Sequence, residues 1–337
     1  AYTAPHWPLH AREEDVKRYR GRYDEGWDAL REERYRRMVE RGIIPPGWTM
    51  TDRDARVEAW ETVDHKEWQA RRMEVYAAQV DRLDQGIGRL VRALEESELL
   101  DRTLILFLAD NGACAEELTA EAAWVRNITP ERTRAGRPVH PGNDPVVMPG
   151  PETTYQSYGL PWANASNTPF REYKHWVHEG GIATPLIAHW PRGIRPRGEW
   201  TPQVGHLVDI MATCVDVAGA HYPRQVRGQR ITPMEGASLA PAFSGDAPTE
   251  RPVFFAHEGN RAVRLGRWKL VSRAEEDPFA WWGRNDLGPG NWELYDMEAD
   301  RTETRDLASE RPDLVPSLAA LWQQWARRAH VLPHPER

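Results

Sequence analysis

Cysteine is nearly missing from this sequence. Cys114 and Cys214 are the only two in 337 residues, which excludes both a disulfide framework and a multi-cysteine zinc site. No stretch approaches the roughly 20 consecutive apolar residues that a membrane span needs. A positive charge balance is missing too: the formal net charge is −7 and the pI about 6.0, so nucleic acid gains no general attraction and any anion must be held by a local site. Phosphate loops of the GxxxxGK type, GxSxG elbows and HExxH helices are all absent. Finally, the chain starts at Ala1 in a proline-rich stretch, with no initiator Met and no basic-then-apolar leader. That start reads as the middle of a gene, and cytoplasmic and periplasmic or secreted placements both stay open.

What is present describes a globular chain, 40% hydrophobic and 28% charged, long enough for a large domain and a smaller one. Sixteen Trp and 27 Pro suggest aromatic-lined clefts and long ordered loops, although plain core packing would account for the tryptophans equally well. Residues 1–11 cannot be regular helix because of their prolines. Residues 12–41 are dense in Arg and Glu, with Trp27, Leu30 and Met38 on a helix-compatible face and a stop at Pro45-Pro46-Gly47; their charges read as a solvated face. From His65 to Glu96, Met73, Tyr76, Ala77, Val80, Leu83, Ile87, Leu90, Val91 and Leu94 recur every three or four residues, which predicts a helix with one stripe on a core.

Thr103 to Leu108 is a short unbroken apolar run, as expected of a strand covered on both faces, and Thr184 to Trp190 is a second. Helix followed by buried strand is the alternation of a parallel sheet. Between the two runs, Cys114 to Tyr173 reads as one long loop with a helical hint at Glu117–Val125, and such loops in compact domains tend to be functional. A helix over His206–Ala218 should bury Leu207, Ile210, Met211, Cys214, Val215 and Ala218. After about Pro248 come four short strands, Val253–Ala256, Ala262–Leu265, Trp268–Ser272 and Trp292–Met297, and an amphipathic helix carrying Leu314, Leu318, Leu321, Trp322 and Trp325. We therefore expect domains at 1–248 and 249–337. Two strands are few for the larger one, so its sheet looks half built.

Three local patterns can carry chemistry. Asp110-Asn111-Gly112 follows the first apolar strand directly, the edge at which open α/β sheets bind ligands. A carboxylate and an amide carbonyl are the hard oxygen donors that Ca²⁺ or Mg²⁺ prefers, although an ordinary turn favours the same residues. Lys174 lies just before Gly180-Gly181 and the second strand, where an ammonium could neutralise a bound sulfate or phosphate, or simply be solvated. His6 sits between Pro5 and Pro8, which restrain the backbone; an imidazole there could protonate a leaving oxygen, or be a packed loop residue. His10, His175 and His178 are further candidates that spacing cannot separate from structural histidines. Cys114 has no evident activating base nearby and reads as an inert thiol.

Seven segments in colinear order resemble the sulfatase family, and within it the bacterial arylsulfatases. They are Ala4–Leu9, Tyr23–Asp28, Leu108–Gly112, Trp162–Lys174, Glu179–Pro185, Gly266–Val271 and Trp292–Asp296. The resemblance implies an alkaline-phosphatase-like α/β fold, with a mixed, mostly parallel sheet between helices and a small C-terminal α+β subdomain of antiparallel strands. It further implies hydrolysis of small-molecule sulfate esters, aryl sulfates in the first instance, around one Ca²⁺. Asp110 and Asn111 match the family's calcium ligands. Lys174 matches a lysine that bridges the sulfate and the leaving oxygen, and His6 a histidine that contacts sulfate and assists departure. His257, in Ala256-His257-Glu258-Gly259-Asn260-Arg261, resembles a stretch near the cleft.

The departure from the pattern matters as much. The family's nucleophile is a formylglycine made in a C/S-x-P-x-R motif, and no Cys or Ser of this sequence stands in one. That segment, and the aspartate pair completing the calcium shell, are expected to lie N-terminal to it in a longer protein, so this chain alone should not turn over substrate. A phosphonate monoester or phosphodiester hydrolase could use the same metal and lysine, and a non-catalytic module binding calcium or sulfated glycans is the rival from another class.

Overall fold

The structure, a computed structural model, describes residues 2–246, 250–274 and 289–332. In chain order its main elements are α1 (Gly26–Glu40), α2 (Lys66–Glu96), β1 (Ile105–Leu108), α3 (Gly159–Ser166), β2 (Leu186–His189), α4 (Asp209–Val217), β3 (Val253–His257), β4 (Asn260–Leu265), β5 (Trp268–Ala274), β6 (Pro289–Asp296) and α5 (Leu314–Arg328). Two compact units form. One takes Ala1–Arg92, Ala109–Pro185 and Phe254–Arg337; the other takes Ala93–Leu108 and Leu186–Val253. The boundary expected at 248/249 falls outside the described residues. Among those residues no helix is long and apolar enough to cross a membrane.

In the first unit the core is built on tryptophan. Trp27 at the start of α1 meets Trp60 and Trp162 edge to face, with centroids 4.7 and 5.4 Å apart, geometry that matches the ring quadrupoles. Gly26 is required there: at φ +78°, a Cβ would lie 2.0 Å from the Trp60 ring. The charges of α1 are not all solvated as expected, because Arg31 is buried and donates to the Thr51 carbonyl at 2.7 Å. Helix α2 appears where its periodicity predicts it. Its buried side is broader and shifted, with Trp68, Arg72, Val75, Ala78 and Gln79 inside and Val80 and Leu90 exposed. The stretch read as a long loop supplies core, with Trp162 on α3 and Tyr173 buried, as is Trp176 just beyond it.

The C-terminal strands form a sheet in the order β6-β5-β4-β3, with β4/β5 and β5/β6 antiparallel. Helix α5 covers one face through Leu318 and Trp322, which pack with Val263, Leu270 and Leu294. This is the small α+β assembly expected. The other face grips the chain around Lys174. Lys269 on β5, wholly buried, pairs with Glu179 at 2.8 Å and Glu303 at 2.7 Å, and Arg301 pairs with Glu179 at 2.7 Å. Glu293 and Tyr295 on β6 both accept from Arg171 at 2.8 Å.

The second unit departs further from expectation. Strands β1 and β2 pair with each other, but antiparallel, with Ile105 opposite His189 and Leu108 opposite Leu186. They are not covered on both faces: Phe107, Leu186 and Ile187 are exposed. Helix α4 presents the opposite side from the one predicted. Leu207, Met211 and Cys214 are exposed, while Asp209, Ala212 and Thr213 are buried. Polar bonds set that orientation. Asp209 pairs with Arg251 and accepts the Ala237 N–H at 2.9 Å, and Thr213 Oγ1 accepts the Leu239 N–H at 2.9 Å. Turning Asp209 outward would strand those partners.

Candidate functional site

Several chain segments of the first unit converge on Glu116, which is buried. Its Oε2 accepts from the Trp7 indole at 2.6 Å and the Cys114 thiol at 3.1 Å, while its Oε1 takes the Lys174 ammonium at 3.0 Å and His175 Nε2 at 2.9 Å. Buried carboxylate oxygens need donors, and these segments supply them. His6 lies against the Trp7 ring, centroids 4.5 Å apart, with its Nδ1 2.8 Å from the Trp7 carbonyl oxygen. Through Trp7 and Glu116, then, the structure links His6 to Lys174, two residues 168 positions apart in sequence.

Asp110 and Asn111 enter the same neighbourhood by backbone. The Gly112 N–H donates to the Gly181 carbonyl at 2.9 Å, and the Lys174 N–H to the Ala113 carbonyl at 3.0 Å. Asn167 locks the crossing: its Oδ1 accepts the Ala113 N–H at 2.9 Å, and its Nδ2 donates to the carbonyls of Glu172 and Gly180. Glycine is needed at 112, since a Cβ would come within 1.7 Å of the Gly180 oxygen. The paired glycines therefore do allow a close approach, one between two pieces of backbone. Asp110 is exposed and Asn111 half-buried, on a segment pinned immediately downstream.

The histidines left undecided by spacing now separate. His10 Nε2 bonds the Thr154 carbonyl at 2.6 Å and His178 Nε2 the Glu293 carboxylate at 3.2 Å; both hold structure. His175 instead lies between two carboxylates, Nε2 on Glu116 and Nδ1 2.6 Å from Glu258 Oε2. Burial disfavours its charge, but the bonds to Glu116 and Glu258 outweigh that and raise its pKa above the usual imidazole value. His257 stacks near it, centroids 6.0 Å apart, and its pKa is lowered, chiefly by burial. Burial, followed by the charge of Glu116, pushes the Cys114 thiol up to about 12, so it stays protonated and unreactive at neutral pH. Sequence reading missed Glu116, Trp7 and Glu258. Nothing local marks Glu116, since a glutamate two positions past a cysteine in a loop has no periodicity and matches no motif.

The family model described as Sulfatase matches residues 1–220, and one described as N-sulphoglucosamine sulphohydrolase, C-terminal, matches residues 171–327. An uncharacterized sulfatase of Schizosaccharomyces pombe is 31% identical over 342 residues, covering 99% of this chain and 58% of that protein. The arylsulfatase of Klebsiella aerogenes is 31% identical over 243 residues, covering 71% of this chain and 50% of that protein. This chain thus spans about half the length of the curated relatives it matches. Among solved structures, Ps i-CgsB in complex with a neocarrahexaose superposes with a TM-score of 0.56 at 20% identity, over 96% of this chain and 48% of that one. That likeness carries the fold, the mixed α/β architecture of the alkaline-phosphatase type.

Proposed function

The chain belongs to the sulfatase family, and from that premise we propose that it forms the leaving-group and charge-neutralising side of a sulfatase active site that hydrolyses sulfate esters to an alcohol or phenol and inorganic sulfate. The observation that carries this reading is the meeting of Lys174, Trp7 with His6, and the Gly112–Cys114 segment around Glu116. Three functions then divide among residues far apart in sequence. The Lys174 ammonium, held by Glu116, offsets charge that builds on the sulfate and ester oxygens as the S–O bond breaks. His6, exposed beside Trp7, gives a proton to the departing oxygen. Glu116 positions the lysine without itself touching substrate.

Asp110 and Asn111 supply adjacent hard oxygen donors, the chemistry that fits Ca²⁺, and account for two of the roughly six to eight oxygens such an ion takes. When bound, the ion would spread the negative charge of the sulfate group. With so partial a shell, this chain alone should bind Ca²⁺ weakly. The nucleophile would come from a formylglycine segment outside this sequence. The kinship with an arylsulfatase favours aryl sulfates, whereas the match to the N-sulphoglucosamine sulphohydrolase model over residues 171–327 favours sulfated sugars.

The test compares the sulfate and phosphate esters of one phenol, and a sulfated hexosamine, on the complete protein. Preference for a sulfate over the phosphate is expected. Faster turnover of the phosphate or of a phosphonate monoester would replace this reading with that of a phosphohydrolase.

A further inference from the structure

We propose that His175, His257 and Glu258 form a binding site for a first-row divalent metal of the zinc class, distinct from the pair Asp110 and Asn111. One ligand atom from each of the three lies within 4.8 Å of the others. Glu258 Oε2 is 2.6 Å from His175 Nδ1 and 3.8 Å from His257 Nε2. Two imidazoles and one carboxylate are a borderline-soft set that suits Zn²⁺ and its neighbours and is poor for Ca²⁺, which prefers oxygen alone.

Two features of the surroundings point the same way. Metal-binding histidines usually donate their second ring nitrogen to a carboxylate, which fixes the ring. His175 has that arrangement, with Nδ1 toward Glu258 and Nε2 toward Glu116 at 2.9 Å. The backbone also goes out of its way to bring the groups together. Glu258 and Gly259 form the two-residue turn between β3 and β4 at φ +47° and +77°, a turn that favours Asn or Gly, and His175 sits at φ +89°. Left-handed backbone at a non-glycine residue tends to mark functional positions.

The adjustment needed on binding is small. Metal–ligand distances of about 2.0–2.2 Å in a tetrahedron place ligand atoms about 3.3–3.6 Å apart, so Glu258 retreats slightly from His175 while His257 moves in. The ion replaces the proton shared by His175 and Glu258. The His257 side chain is 54% exposed, which leaves a path from solvent and an open fourth position for water. Because His175 keeps its bond to Glu116, an occupied site would tie the β3–β4 turn to the loop that carries Lys174.

The experiment titrates the metal-free, untagged chain with Zn²⁺ by calorimetry and with Co²⁺ by visible absorption, and follows Tm with and without Zn²⁺. One equivalent is expected to bind, to raise Tm and to give Co²⁺ the absorption of a low-coordinate nitrogen and oxygen site. His257→Ala, half-exposed and therefore safe for folding, should weaken binding at least about tenfold, the loss that even an outer supporting group causes, and abolish the rise in Tm. Glu258→Gln should do the same, while Asp110→Asn and the exposed His221→Ala should bind as the parent does. Absence of a bound equivalent, or affinity unchanged in both His257→Ala and Glu258→Gln, overturns the proposal. None of these readouts depends on sulfatase activity, so the site stands or falls apart from it.

Discussion

The two compact units accommodate buried charge in different ways. In the unit that carries the candidate site, charged groups go inside: Lys269, Glu179 and Glu303 are buried together, and Glu116 is enclosed by four donors. In the other unit a single pair, Asp209 with Arg251, anchors α4, while Phe107 and Ile187 on its strands, Leu207 just before α4 and Met211 on it are exposed. The difference teaches that a buried charge is tolerated where several segments meet to satisfy it, and that one polar anchor, Asp209 with Arg251, can decide which face of a short helix turns inward.

The contrast can be broken most severely at Lys269. Removing the ammonium in Lys269→Met takes the shared cation from Glu179 and Glu303 and leaves Arg301 paired with Glu179, and denaturant unfolding should show a loss of about 3–5 kcal/mol. A loss below 1 kcal/mol would mean that the cluster is hydrated and ordinary. Next comes Lys174. In the complete protein, Lys174→Ala should lower kcat/KM by about 10²–10³, whereas Cys114→Ala should leave kcat/KM close to the parent's; equal losses would remove Lys174 from its assigned role.

Acid should separate the units more gently. Although burial opposes ionisation of Glu179, Arg301 and Lys269 hold its carboxyl well below the usual range. A depressed carboxyl contributes its full stability above the unfolded value, about 4.3 for Glu, and loses it as pH falls from there toward the folded value. Hydrogen exchange monitored between neutral pH and the acid range should therefore show Glu179 and β5 loosening below about pH 4.3, with α4 less affected. The smallest effect is expected at the exposed apolar surface. Met211→Ser should change stability by no more than about 0.5 kcal/mol, and a larger loss would show that this side chain packs against something.

Periodicity made α2 and α5 readable, and alternation with two-residue turns made the C-terminal strands readable, because both signals arise from contacts a few residues apart. The same logic failed at α4, where Leu207, Met211 and Cys214 mark a perfectly good stripe. It failed because the orientation depends on Arg251, more than thirty residues away. The stretch from Cys114 to Tyr173 defeated it for a related reason: Trp162 lies on a helix of 8 residues, too short to display a period, and Tyr173 on irregular backbone that has none. At the candidate site, Asp110, Asn111, Lys174 and His6 could be nominated from residue type and from likeness to sulfatases, but Glu116 could not.

By itself, then, the sequence determined the family and the helices and strands whose partners lie nearby, and it nominated the residues of the proposed anion and cation sites. Tertiary structure alone decided that Trp7, Cys114, Lys174 and His175 would meet on one carboxylate, and that His257 and Glu258 would face His175. Those encounters depend on chain crossings locked by Asn167, Gly112 and the Lys269 cluster. Long-range pairing of this kind leaves no trace in local order, since what each partner satisfies is a charge or a hydrogen bond contributed by a distant segment.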